Sequence, residues 1–447
     1  MSVERLQEPP ELFHLAMRAL VGPDPARSIV LMRFLNVLLA GALIALAAIV
    51  SRPVARRALL LAWAATAAPV GTFFIASTSP QSWVMIGVGT FWAFALALFQ
   101  SPESRPRQLG AVLGAVTSAA MALGANTDSG YLLALSLLVA LLLAWPRLRD
   151  RLSVHRRRWL LPVTVTTTSA LIAALSLVTW LGRAGNSDES ISLVFPPGDS
   201  GRDQPNAILK AVLEIPSFVA ALVGAQPPAW AQRMSPLDVG IPGYTWPGFT
   251  FGLGHTEHLL PSLVGVFLVA VLGAVTLSGF VSYSWRKVCA FAAVLIAFIA
   301  MILFRRGLVA FEFLVDPLLP QEFWPFLLLG VAVALVVFPA RYRVWSSTQI
   351  GLLVALLTVA QSVALRGTLA RYMYGQTHSY TNLSDPNRWW WPSGPEPNQV
   401  WLLGTLAAFV TYLAVLSLWS RARPRNRTGA TEPTEPAATN SSPAASS

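Results

Sequence analysis

The sequence predicts an all-α fold, a polytopic transmembrane bundle of about eleven crossings. Three observations carry that reading. Apolar stretches long enough to cross a bilayer recur along the 447 residues. The connections between them alternate between arginine-bearing and neutral or acidic. Hydrophobic residues make up 54% of the chain against 12% charged, with 16 tryptophans and a mean hydropathy of +0.56. A soluble protein of this length needs more polar surface than that.

In order, the crossings are expected near residues 34–50, 58–76, 82–99, 108–124, 130–146, 159–181, 259–281, 287–304, 321–339, 348–365 and 400–419. The loop after the first carries Arg52, Arg56 and Arg57, the loop after the third carries Arg105 and Arg107, and residues 147–158 hold six arginines. Arg286 with Lys287, Arg341 with Arg343, and the tail beginning at Arg421 continue the series, so these connections are assigned to the cytoplasm. Ser77 to Gln81, Asn126 to Asp128, and a long region bearing Asp188, Glu189, Asp199 and Asp203 then face outward. Residues 207–224 are apolar but contain Lys210, Glu214 and Pro216. Counting them as a crossing would invert every later loop, so they are read as a helix in the outer interface or re-entering the membrane.

The resulting organisation has an outer-face amino-terminal segment at 1–33 and a transmembrane domain at 34–419 with large outer loops at 182–258 and 366–399. Residues 420–447, rich in Pro, Thr, Ala and Ser towards their end, read as a disordered cytoplasmic tail. This orientation places a plasma-membrane protein with its amino terminus outside and its carboxy terminus in the cytoplasm. The amino-terminal segment has no signal pattern and opens within what should be an outer loop, so an upstream helix is expected to be missing.

The net charge of +11 and pI near 10.6 would suit nucleic acid, but most of the arginine sits at helix ends and sets orientation. A nucleic-acid partner is excluded on that ground; membrane lipids are the expected partner. The single cysteine, Cys289, rules out an intrachain disulfide and a cysteine-based metal site. His255 and His258 lack a third ligand and read as polar residues at a helix start, so no metal or cofactor is expected.

The stretches "QEPPELFHLAMRAL" at 7–20, "LMRFLNVLLAG" at 31–41, "AAPVGTFFIASTSPQSW" at 67–83, "SPLDVGIPGY" at 235–244, "LARYMYG" at 369–375 and "RWWWP" at 388–392 resemble, in order, the bacterial membrane family DUF2142. The likeness is to its actinobacterial members in particular, which are grouped with GT-C glycosyltransferase-like proteins. It implies a GT-C-like core that uses a polyprenyl-phosphate-linked sugar on the outer face of the cell envelope. It also implies a first helix and acidic first outer loop upstream of residue 7, the place where the family's base would lie. On that reading the 447-residue chain folds but transfers sugar poorly. At 319–326, "LPQEFWPF", Gln321 and Glu322 stand where related chains tend to have an Arg-Tyr pair.

Arg371, Tyr372, Arg388, Trp389, Trp390 and Trp391 put guanidinium donors beside aromatic faces in the second outer loop. Arginine clamps phosphate and indole covers the apolar face of a pyranose, so the group suits a lipid-phosphate sugar. The plainer reading is an aromatic belt at headgroup level. Arg305 and Arg306 run against the charge rule, either to hold an anionic headgroup or to snorkel from a helix end. Thr164 to Ser169 could line a polar groove, although bonding to the preceding turn accounts for them equally. Asp199, Asp203, Asp238 and Asp385 are candidate bases, with no spacing that selects among them.

Three functions remain open: an outer-face glycosyltransferase, a translocase of envelope glycan or lipid-linked precursor, and a scaffold without catalysis. A translocase should show internal repeats and ionisable residues at mid-span. Neither is evident, which favours the enzyme.

Overall fold

The computed structural model describes residues 12–100, 104–126, 129–152, 262–309, 320–336, 345–374, 383, 389 and 394–420. Among them the elements are α1 (Leu12–Arg18), α2 (Pro25–Val50), α3 (Pro53–Thr66), a π-turn at Ala67–Gly71, α4 (Thr72–Ile75), α5 (Gln81–Phe99), α6 (Arg105–Ala125) and α7 (Gly130–Leu152). The second half gives α8 (Ser262–Phe280), α9 (Trp285–Val309), α10 (Pro320–Leu335), α11 (Ser347–Tyr374) and α12 (Pro397–Ser420). No strand occurs among the described residues. Ten of the eleven expected crossings coincide with helices; the crossing at 159–181, and the interfacial segment at 207–224, lie outside the described residues.

Local chemistry sets the helix ends. Asp24 accepts from the backbone N–H groups of Ala26 and Arg27 at 3.0 and 3.4 Å, with Pro25 in the first turn, so α2 starts at Pro25 rather than at 34. Pro53 opens α3 after the extended Arg52. For α11, Ser346 and Gln349 cap each other reciprocally: the Ser346 N–H donates to Gln349 Oε1 at 2.8 Å and the Gln349 N–H to Ser346 Oγ at 3.2 Å.

At the centre α5 is buried along its whole apolar length. Small residues let its neighbours approach: a Cβ at Gly87 would meet the Ser118 carbonyl of α6, and one at Gly114 would meet the Phe94 ring. Thr90 and Ser118 hydroxyls bond across this seam at 2.9 Å. The halves join through α10, which packs on α3, α5, α8 and α9; Phe326 stacks on Tyr131 at 6.3 Å and tilts against Phe298 at 5.4 Å. By contrast α2 and α12 leave rows of apolar side chains exposed, Phe34 and Leu38 on one, Leu403 and Leu406 on the other, as helices facing acyl chains do.

Contacts agree with the alternation of the loops. At one end, here the arginine end, Arg52 Nη2 donates to the Gln100 carbonyl at 3.1 Å, and Lys287 donates to the Gly279 carbonyl. At the opposite end Phe13 of α1 lies edge-on to Trp83 at 5.3 Å, and a Cβ at Gly124 would meet Leu12. The short α1 thus covers the opposite ends of α5 and α6, where Asn36 donates to the Ser77 carbonyl at 2.7 Å and accepts from Trp83 Nε1 at 3.0 Å.

Candidate functional site

Two places at or near the opposite end combine polar groups with large aromatic faces. The first is the α11–α12 hairpin. Gly404 allows the close approach, since a Cβ there would meet Leu365. Ser362 Oγ accepts from Trp401 Nε1 at 2.9 Å and pairs with Thr405 Oγ1 at 3.0 Å. One turn further along α11 the Arg366 guanidinium lies 4.6 Å from the centre of the Trp401 ring. Leu369, Ala370, Met373 and Leu383 form a small core against which Trp389, Val400 and Trp401 pack.

The expected site residues divide as follows. Arg371 and Tyr372 lie in the last turns of α11, not in a loop, because that helix runs on to Tyr374; Tyr372 is 62% exposed. Trp389 packs against the small α11–α12 core. Arg388, Trp390 and Trp391 lie outside the described residues, as do His255, His258, Thr164 to Ser169, Asp199, Asp203, Asp238 and Asp385. Arg305 and Arg306 fall on the helical backbone of α9; their side chains, like that of Arg371, lie outside the described set. Sequence reasoning missed Arg366 and Trp401, although Arg366 stands only five residues before Arg371 on one helix.

The second place is the interruption of the α3 span. Ala68 leaves helical geometry with φ −85° and ψ 131°, and the Ala68–Pro69 bond is cis. Pro69 has no N–H to offer the preceding turn. Where the chain leaves helical geometry, Trp324 of α10 supplies a donor to the preceding turn: its Nε1 donates to the Thr66 carbonyl at 2.8 Å, and its ring sits 5.1 Å from that of Trp63. A Cβ at Gly71 would come within 3.1 Å of Trp324 Nε1, so the indole packs closely on this glycine. The recess beside it is lined by Ala65, Ala68, Val70, Leu268, Leu272 and Phe323 and is apolar. Among the described residues no group of three or more His, Cys, Asp or Glu could hold a metal.

The chain belongs to the DUF2142 family, described as "Predicted membrane protein", which it matches over residues 11–305. It is a membrane protein of that family. Comparison with curated proteins gives no match, and comparison with solved structures gives none.

Proposed function

We propose that the protein binds an anionic, lipid-linked headgroup at the opposite end of α11 and α12, and that it is a GT-C-like glycosyltransferase drawing on a polyprenyl-phosphate-linked sugar at the outer face of the plasma membrane. The observation that carries this reading is Arg366 over Trp401 at 4.6 Å, with Trp389 packed in the same cluster and Tyr372 exposed one helical turn and a half beyond. A guanidinium over an indole face carries donors that can meet phosphate, while aromatic faces can cover sugar. The amino-terminus-outside orientation, the outer loops and the cytoplasmic tail are parts of the same proposal, as are Arg371, Arg388, Trp390, Arg305 and Arg306 as ligand-binding residues. The base is sought among Asp199, Asp203, Asp238 and Asp385.

The test is binding of a polyprenyl-phosphate sugar to the full chain in nanodiscs. Arg366→Ala, Arg371→Ala and Trp390→Ala should each weaken it by about tenfold, the effect of losing one charge-assisted or stacking contact. Arg371→Lys should not restore it, because an ammonium lacks the planar fork. Unchanged binding in every variant would leave only an aromatic belt.

The interrupted α3 favours one further reading, a translocase for a lipid-linked precursor, since broken spans recur at transporter sites. Proteoliposomes separate the two: a translocase moves labelled lipid carrier between leaflets without acceptor, whereas a transferase leaves the carrier in place and needs acceptor.

A further inference from the structure

Five arginines gather at one corner of the arginine end. The connections at 51–57 and 100–107 hold Arg52, Arg56, Arg57, Arg105 and Arg107 against a single acidic residue, Glu103. The fold brings the two connections together. Arg52 Nη2 donates at 3.1 Å to the carbonyl of Gln100, the residue that ends α5, and a Cβ at Gly110 of α6 would stand 3.1 Å from Val50 Cγ1 in the last turn of α2. Helix α6 therefore starts beside the turn that leads from α2 into α3. Arg56, Arg105 and Arg107 are exposed, and Arg52 and Arg57 half-buried. Neither α3 nor α6 has an acidic residue in its first turn, and neither N-cap side chain bonds its helix. The arginines thus stand at the positive ends of two helix dipoles, the unfavourable place for a cation, and build a charge that one glutamate does not offset.

The compensating group is an anion, and the surface below it says which kind. Arg105 heads an exposed face of α6 on which Leu109, Leu113 and Val116 follow at helical spacing, all exposed. Ile49 of α2, next to Val50, is exposed too. Cations above a continuous apolar strip match an amphiphile with an anionic head rather than a soluble anion. We infer that this corner seats an anionic phospholipid of the leaflet at the arginine end, its phosphodiester held between the starts of α3 and α6 and an acyl chain lying along Leu109, Leu113 and Val116. A zwitterionic lipid carries its own cation and gains little there. The site lies at the other end of the molecule from Arg366 and Trp401, so neither reading depends on the other.

The experiment uses the purified full chain in phosphatidylcholine nanodiscs and a phosphatidylglycerol carrying a photoreactive group in one acyl chain. Saturable labelling of residues 105–117 is expected, several-fold stronger than with a phosphatidylcholine bearing the same chain. Arg56→Gln, Arg105→Gln and Arg107→Gln should each lower phosphatidylglycerol labelling by about fivefold, the effect of one cation near an anionic head. None should lower Tm in phosphatidylcholine alone, because each removes a cation from the positive end of a helix. That separates lipid binding from a structural role. Arg286→Gln removes the same charge from the same end, at the start of α9, which packs on α7 and α10, and should leave labelling unchanged. An equal fall with Arg286→Gln would reduce the effect to diffuse surface charge and overturn the proposal. Equal labelling by the two lipids overturns it as well. Labelling that millimolar inorganic phosphate abolishes would assign the corner to a soluble anion, a third result against it.

Discussion

Lys287 shows how one residue type serves two purposes. In the sequence it reads as an orientation signal beside Arg286; in the structure it is only 2% exposed and closes α8. Its Nζ donates to the Gly279 carbonyl, to the Ser282 carbonyl at 3.3 Å and to Ser282 Oγ at 3.1 Å, 5.7 Å from the centre of the Phe280 ring. A cation at a helix carboxy terminus satisfies carbonyls that have no partner in the helix and meets the favourable end of the dipole. Lys287→Met keeps the stem and removes the donors, so it should destabilise the protein by about 1–3 kcal/mol, read as a lower Tm in detergent. Trp324→Phe makes the parallel test at the α3 break. The ring against Trp63 survives while the bond to the Thr66 carbonyl is lost, and a loss of about 1–3 kcal/mol is expected. An unchanged Tm would show that the interruption is held by packing alone. The Trp324 role could not be read from sequence, for a definite reason: Trp324 and Thr66 are 258 residues apart, and no local pattern announces such a bond.

Helices were more legible than what lies inside them. A span is a property of some twenty consecutive residues, and the bilayer enforces it strongly, so the positions of α2 to α12 follow the apolar runs. Ends depend on single capping residues, which is why Asp24 moves the start of α2 to Pro25; α11 runs on to Tyr374 and carries Arg371 and Tyr372 out of the expected loop. The break at Ala67–Gly71 had a signal, Pro69 followed by Gly71, that the uninterrupted apolar character of 58–76 overrode. Helix-to-helix seams are legible least, because glycines look alike in sequence. A Cβ at Gly87 would strike the Ser118 carbonyl and stand 3.0 Å from Ala122 Cβ, whereas one at Gly41 meets nothing within 4 Å. Gly87→Ala should therefore cost about 1–3 kcal/mol through overpacking, while Gly41→Ala should be neutral or slightly stabilising through helix propensity. Comparable Tm values for the two variants would contradict the tight α5–α6 seam.

Over the whole molecule, the alternating loops and the contacts between helix ends are independent observations that agree about which ends lie together. Arg52 reaches Gln100 at one end, and Asn36, Ser77 and Trp83 meet at the other. That agreement fixes the relative direction of α2, α3 and α5 but not which end faces the cytoplasm; the arginine bias alone supplies the sign. The candidate headgroup site depends on that sign, because the α11–α12 cluster and the α3 break both belong to the end opposite the arginines, where an outer-face donor would arrive. Two exposed positions report it directly: Thr78, between α4 and α5, and Ser104, at the start of α6. On a Cys289→Ser background, Thr78→Cys should react with a membrane-impermeant maleimide in intact cells, and Ser104→Cys should react only after the membrane is opened. Reaction at Ser104→Cys in intact cells, with Thr78→Cys protected, would invert the molecule. The aromatic and arginine cluster would then face the cytoplasm, and an outer-face transferase would have no site at that end.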